Sequence, residues 1–148
     1  MFPESLEIEF FPGTDPLLSE ALAIRQEVFI EEQGIDPLIE LDDYDYIAWH
    51  LLAREGGRAI ATARLVTLDA TTAKIGRVAV LKEFRGRGLA GQLLAMLIEY
   101  CVREGFSKVV LDAQLCALKL YEKQGFIAVG PVFLEAEIPH QRMEKTLK

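Results

Sequence analysis

The chain reads as a mixed α/β layer fold built on one central sheet. Two observations carry this. Apolar residues alternate with a period of two in several runs and repeat at helical spacing in others. A strand-like run, Lys74 to Leu81, also passes directly into an arginine–glycine loop and then into an amphipathic helix beginning near Gly88.

Taken in order, Glu7 to Phe11 alternates as a first strand, and Asp15-Pro16 supplies an N-cap and an N1 proline for a helix. Leu18, Ala21, Leu22, Arg25, Val28 and Phe29 repeat at helical spacing, and Gly34 ends that region. An acidic loop, Glu40 to Asp45, follows. Ile47 to Arg54 and Arg58 to Leu68 are strands joined at Glu55-Gly56-Gly57, and Lys74 to Leu81 completes a meander. Ala90, Leu93, Leu94, Leu97, Ile98 and Cys101 form one apolar helical face that stops at Gly105. Val109 to Leu111 has the short, β-branched character of a buried central strand. A second helix is predicted from about Gln114 to Lys123, ending at Gly125. Phe126 to Val129 and His140 to Thr146 are the last strands, separated by a Pro131-to-Pro139 connection. The expected order is β-α-β-β-β-α-β-α-β-β in one domain, 1–148.

With 148 residues, 51% hydrophobic and 26% charged, the chain can bury a real core. No apolar run is long enough to span a bilayer, and Met1 to Glu4 lacks the basic and apolar regions of a secretory signal. The two cysteines, Cys101 and Cys116, form no metal-type cluster, so free thiols in the cytoplasm are expected and no metal is. A net charge of −7 argues against nucleic acid and suits a cationic acceptor. A homodimer is the default assembly.

The densest chemistry lies in Arg85-Gly86-Arg87-Gly88-Leu89-Ala90. Two glycines permit close backbone approach, a helix N-terminus points N–H groups at the same spot, and two arginines add positive charge. That combination suits a pyrophosphate. No lysine and hydroxyl residue stand where a P-loop requires them. Gly86-x-Gly88-x-x-Gly91 has the dinucleotide spacing, with Asp112 near the expected ribose-binding distance, but strands already precede it. A dinucleotide remains an alternative ligand.

The pattern Arg85-x-x-Gly88-x-Ala90 resembles the acetyl-CoA signature of the GNAT N-acetyltransferases. The resemblance extends through Gly76-Arg77-Val78-Ala79-Val80 and through Ala113-Gln114-x-x-Ala117-x-x-x-Tyr121-Glu122-Lys123-x-Gly125-Phe126. Arg25-x-x-Val28-Phe29-x-x-Glu32-Gln33-Gly34, Ala61-x-Ala63-Arg64-Leu65 and Ile138-Pro139-His140-x-x-Met143 resemble the ElaA-like branch. Many members have asparagine where Gln114 stands.

The resemblance implies a mostly antiparallel sheet with splayed, parallel fourth and fifth strands and flanking helices. It implies acetyl-CoA as cosubstrate, bound by the backbone of Val78, Ala79 and Val80 and by Arg85, Gly86, Arg87, Gly88, Leu89, Ala90 and Gly91. Gln114, Ala117 and Tyr121 complete that set, with Tyr121 as general acid toward the leaving thiolate. Glu32, Asp43 and His140 are acceptor-site candidates. The base stays open among Glu32, Glu40, Asp42, Asp43, Asp45, His50 and His140, and Glu32 has Arg25 as an alternative internal partner. The acceptor is a small-molecule or peptide amine. A non-catalytic acyl-CoA-binding module on the same fold is the competing reading.

Overall fold

The computed structural model describes residues 5–148; Met1 to Glu4, on which the expectation of no secretory signal rests, lies outside the described residues. The strands are β1 (Leu6–Pro12), β2 (Trp49–Glu55), β3 (Arg58–Thr67), β4 (Thr72–Val80), β5 (Lys108–Gln114), β6 (Ile127–Glu135) and β7 (Ile138–Thr146). They form one sheet in the order β1-β2-β3-β4-β5-β7-β6. The pairs β1–β2, β5–β7 and β6–β7 are antiparallel, and β4–β5 is parallel, as expected. The parallel ladder comprises Thr72–Lys108, Ala73–Val109 and Lys74–Val110. The helices are α1 (Leu18–Arg25), α2 (Pro37–Glu40), α3 (Tyr44–Ile47), α4 (Leu89–Arg103) and α5 (Leu118–Glu122).

Two compact units divide the chain: residues up to Arg64 with Arg77–Leu93, and Leu65–Gly76 with Leu94–Lys148. In the first unit α1 turns Leu18, Ala21 and Ile24 inward beside Phe11, Val28, Phe29, Leu52, Ala79 and Leu81. Asp15 does not cap this helix in the expected register. Its Oδ1 accepts the Leu17 N–H at 2.9 Å, which shapes a turn and delays the helix to Leu18. Beyond Arg25 the helix widens to π geometry over Gln26–Glu32 and closes at Gly34, φ 72°. In the second unit Leu94, Leu97 and Cys101 of α4, Val109 and Leu111 of β5, Phe126 and Met143 are buried.

Three local expectations need correction. The acidic run is not an open loop: α2 starts at an Asp36 cap whose side chain accepts the Leu38 N–H, and α3 follows at Tyr44. Gln114 is not helical, because its extended backbone (φ −61°, ψ 140°) keeps it in β5; a 3-10 turn over Leu115–Ala117 precedes α5. The Pro131-to-Pro139 connection is mostly strand. Pro131 falls in a β6 irregularity between Val129 and Phe133, on the edge of the sheet, where a missing N–H disturbs little. The actual turn is Ala136-Glu137, with φ of 51° and 64°.

Two consecutive L-residues at positive φ are costly in a two-residue hairpin, where Asn-Gly is favoured. Replacing Ala136→Asn together with Glu137→Gly is expected to stabilise the fold by about 1–2 kcal/mol, measured by urea unfolding. An unchanged midpoint would contradict the turn conformation.

Candidate functional site

After β4 the Leu81 N–H bonds Ile60 O at 2.9 Å, and Lys82–Phe84 makes a 3-10 turn into the arginine–glycine loop. Gly86 and Gly88 have φ of 82° and 79°, and a Cβ built on either meets nothing within 4 Å. The backbone conformation therefore favours glycine, and the space where a Cβ would stand is open. At the head of α4 the Gln92 N–H bonds Gly88 O at 3.1 Å, which places the amides of Leu89 and Ala90 in the first turn, where a helix has no i−4 carbonyl to offer.

Both loop arginines already hold carboxylates. Arg85 donates through Nη1 and Nη2 to Glu32 at 2.7 Å each, while its Nε donates to Val80 O at 2.9 Å. Hydrogen bonding to Arg85 draws the Glu32 carboxyl below the usual range, and the same pair raises Arg85. Arg87 Nη1 donates to Glu55 at 2.8 Å, and its guanidinium lies 5.0 Å from the centre of the Phe84 ring. Thus Glu32, Val80 and Arg85 come together, and Glu32 does not pair with Arg25. Ala79 is buried, whereas Val78 and Val80 are half-buried.

Arg25 instead anchors a buried ion cluster beneath α2 and α3. Its Nε donates to Glu40 Oε1 at 2.5 Å and its Nη1 to Asp45 Oδ1 at 2.6 Å. Arg64 Nη1 reaches Asp42 at 2.6 Å and Asp45 at 3.0 Å. Arg77, at φ 52°, donates to Glu40 O at 3.1 Å and to Asp42 Oδ2 at 3.2 Å. Burial opposes ionisation of Asp45, but hydrogen bonds and charge from Arg25 and Arg64 outweigh it and lower its pKa. Glu40 and Asp45 are therefore structural counterions, withdrawn from any acceptor. Asp43 is exposed, and its side chain makes no cap to α3.

His50 is buried with Nε2 2.9 Å from Asp45 O. A carbonyl can only accept, so Nε2 carries the proton. Desolvation lowers the His50 pKa from its ordinary value, and the Arg25 and Arg64 charges add to this against the pull of Asp45. A folded-state pKa below the unfolded value means that stability is complete above about pH 6.5 and falls as pH drops below it. Between pH 7.5 and 5.5 the thermal midpoint is expected to decline. The decline should be shallower in His50→Gln, which retains an N–H donor, when both are measured by calorimetry.

In the second unit, Gln114 closes β5 and stands opposite His140 in the β5–β7 register. His140 is buried, with Nδ1 2.7 Å from Ile138 O, Nε2 3.5 Å from Glu135 and its ring stacked on Phe133 at 6.0 Å. The Ile138 carbonyl places the proton on Nδ1 and leaves Nε2 as the basic nitrogen. Tyr121 is buried on α5, edge-on to Phe126 at 6.2 Å. Burial, and then the nearby Cys116, push its phenol up to about 12. Ala117 ends the turn before α5, half-buried. Sequence reasoning passed over Arg142, which bonds Asp112 at 2.6 Å, and Lys74, 3.1 Å from the same carboxylate. A lone acid within apolar β5 was the available signal.

Among the described residues no group of three or more His, Cys, Asp or Glu side chains is arranged to hold a metal. No helix among them is long and apolar enough to cross a membrane.

Residues 41–147 match the acetyltransferase (GNAT) domain. The chain is 31% identical to the Bacillus subtilis (strain 168) uncharacterized N-acetyltransferase YjcF, over 86% of this chain and 91% of that protein. It superposes on a Pseudomonas aeruginosa acyl-CoA N-acyltransferase with a TM-score of 0.85 at 33% identity, covering 96% of this chain and all (100%) of the other. Escherichia coli ElaA gives a TM-score of 0.86 at 28% identity, with 95% and 99% covered. Set beside the glycine–arginine loop at the head of α4, these likenesses place the chain in the GNAT acetyltransferase family as an ElaA-like member, an acyl-CoA-dependent N-acyltransferase.

Proposed function

We propose that the protein transfers an acetyl group from acetyl-CoA to a primary amine by direct attack of the amine nitrogen on the thioester carbonyl. The observation that carries this reading is the Arg85–Gly91 loop. Two glycines held at positive φ, open space where a Cβ would stand and a helix N-terminus fit a pyrophosphate, and two arginines stand beside it. Acetyl-CoA supplies the activated acyl group. The amides of residues 87–91 and the Arg85 and Arg87 guanidinium groups bind the phosphates. The backbone of Val78, Ala79 and Val80 holds the pantetheine, with an N–H near Val80 directed at the thioester oxygen. Gln114 and Ala117 are further candidates for cosubstrate contact. Glu32, Asp43 and His140 are separate acceptor-site candidates, and the amine's proton leaves to water or to His140 Nε2. We place the enzyme in the cytoplasm, with both cysteines as thiols.

Tyr121 is proposed to protonate the leaving sulfur as the C–S bond breaks. A phenol at about 12 facing a thiol of ordinary pKa about 8.5 makes full proton transfer uphill by roughly 5 kcal/mol. The proton must therefore move in concert with thiolate departure. Tyr121→Phe is expected to lower kcat by about a hundredfold or more while acetyl-CoA affinity stays within about twofold. Parallel loss of both, by calorimetry and thiol release, would remove the acid role.

The carboxylates on the loop arginines compete with phosphates. An exposed ion pair contributes at most about 1 kcal/mol, so Glu55→Gln is expected to tighten acetyl-CoA binding by up to about fivefold. Weaker binding would show that Glu55 positions Arg87 instead of restraining it.

The weak acidity of the buried Tyr121 favours one competitor, a non-catalytic acyl-CoA-binding module. Calorimetry with acetyl-CoA, followed by thiol release across a panel of amines, separates them. Binding with turnover supports the enzyme, binding alone supports the module, and NAD binding in place of CoA defeats both.

A further inference from the structure

The irregularity in β6 borders a shallow hollow open to solvent. On β7 the step from Arg142 to His140 is two residues, whereas on β6 the matching step from Val129 to Phe133 is four. The surplus chain turns out at Gly130, φ 75°, and is pinned where Gln141 Nε2 donates to Gly130 O at 2.9 Å. The hollow holds about 400 Å³ and is lined by Asp112, Val129, Gly130, Pro131, Phe133 and Arg142.

The cation in this wall is incompletely matched. Arg142 donates Nε to Asp112 Oδ1 at 2.6 Å, and its Nη2 lies 3.5 Å from Oδ2. Lys74 occupies Oδ2 at 3.1 Å. Burial raises the Asp112 pKa, but Arg142 and Lys74 outweigh this and lower it, so the carboxylate stays ionised. Two cations thus share one anion, and Arg142 Nη1 has no hydrogen bond among the described residues. Val129, Pro131 and Phe133 make the remaining wall apolar. The adjoining cross-strand row is Gln114–His140–Phe133, and Phe133 borders the hollow while its ring stacks on His140.

We propose that this hollow binds the carboxylate and apolar body of an amino-acid-like acceptor, the carboxylate taken by Arg142 and the amine directed toward His140. The proposal rests on the acyl-transfer reading and gives its acceptor a chemical class. A carboxylate bound there replaces water at the half-exposed Arg142 and offsets the second cation beside Asp112.

The test is calorimetric titration of the full chain with L-leucine, L-phenylalanine and 6-aminohexanoate, each beside its amide. At least one carboxylate should bind, about tenfold or more tighter than its amide. That preference should vanish in Arg142→Gln and in Pro131→Glu; the latter adds a carboxylate at an exposed rim position and spares the Asp112 pair. Equal binding of acid and amide, a preference surviving both variants, or no binding by any of the three acids would overturn the assignment. Acetyl-CoA titrated into the same samples judges the acyl-transfer reading separately. Its binding should be unchanged in both variants, and failure of the wild-type protein to bind it would sink that reading whatever the amino acids do.

Discussion

The first unit depends on the ion cluster around Arg25. Three guanidinium groups, from α1, β3 and β4, meet three carboxylates of residues 40–45, and Arg25, Glu40, Asp45 and Arg64 are all buried. Burying such charges is unfavourable unless each finds its partner, and removing one partner costs about 3–5 kcal/mol. The cluster meets that condition almost completely; Arg64 Nε alone is a buried side-chain polar atom without a hydrogen bond among the described residues. Its return is order in a segment that has little else. α2 and α3 are four residues each, far below the length at which a helix holds itself, and Leu38, Tyr46 and Ile47 point outward. What fixes them is charge underneath, not apolar packing above.

Arg77 ties that segment to the strand that follows. A non-glycine residue at φ 52° carries a conformational cost, and it persists only where the surroundings hold it. Here the guanidinium grips the Glu40 carbonyl and the Asp42 carboxylate, so the distortion in β4 and the fold of residues 39–42 are one construction. Val78 to Val80 leave this point toward the Arg85 loop, and Arg85 Nε returns to Val80 O. The backbone stretch proposed for the pantetheine is therefore fixed at both ends by arginine side chains.

The strand periods, the α4 face and the glycine loop were legible because each rests on local spacing. The seven strands appear in the expected order, with errors concentrated at their ends. Three features were hidden for identifiable reasons. The Ala136-Glu137 turn carries neither glycine nor asparagine, and two prolines beside it imitate a loop. The acidic run reads as a loop because its partners lie far off in sequence, at Arg25, Arg64 and Arg77. Arg142 and Asp112 sit thirty residues apart and meet only through the β5–β7 register. Spacing motifs locate an arginine–glycine loop, but they do not report which arginines are already satisfied.

That last distinction sorts the arginines of this protein better than residue type does. Arg25 is 1% exposed and divides its donors between two buried carboxylates. Nothing in solution can compete for it, so it serves the fold. Arg85 and Arg87 are 39% and 50% exposed, and their partners Glu32 and Glu55 are 37% and 23% exposed. Water and salt reach both sides of these pairs, so a polyanionic ligand exchanges one set of ion pairs for another at little net cost. Such exchange would let a chain of net charge −7 receive an anionic cosubstrate at Arg85 and Arg87, whose charges are matched by Glu32 and Glu55. Arg142 is the third kind: 40% exposed, held in place by Asp112, yet with one nitrogen unspent. A guanidinium that is oriented but incompletely paired has already lost most of the conformational freedom that binding would cost it, so a carboxylate meeting it gains affinity from preorganisation as well as from charge.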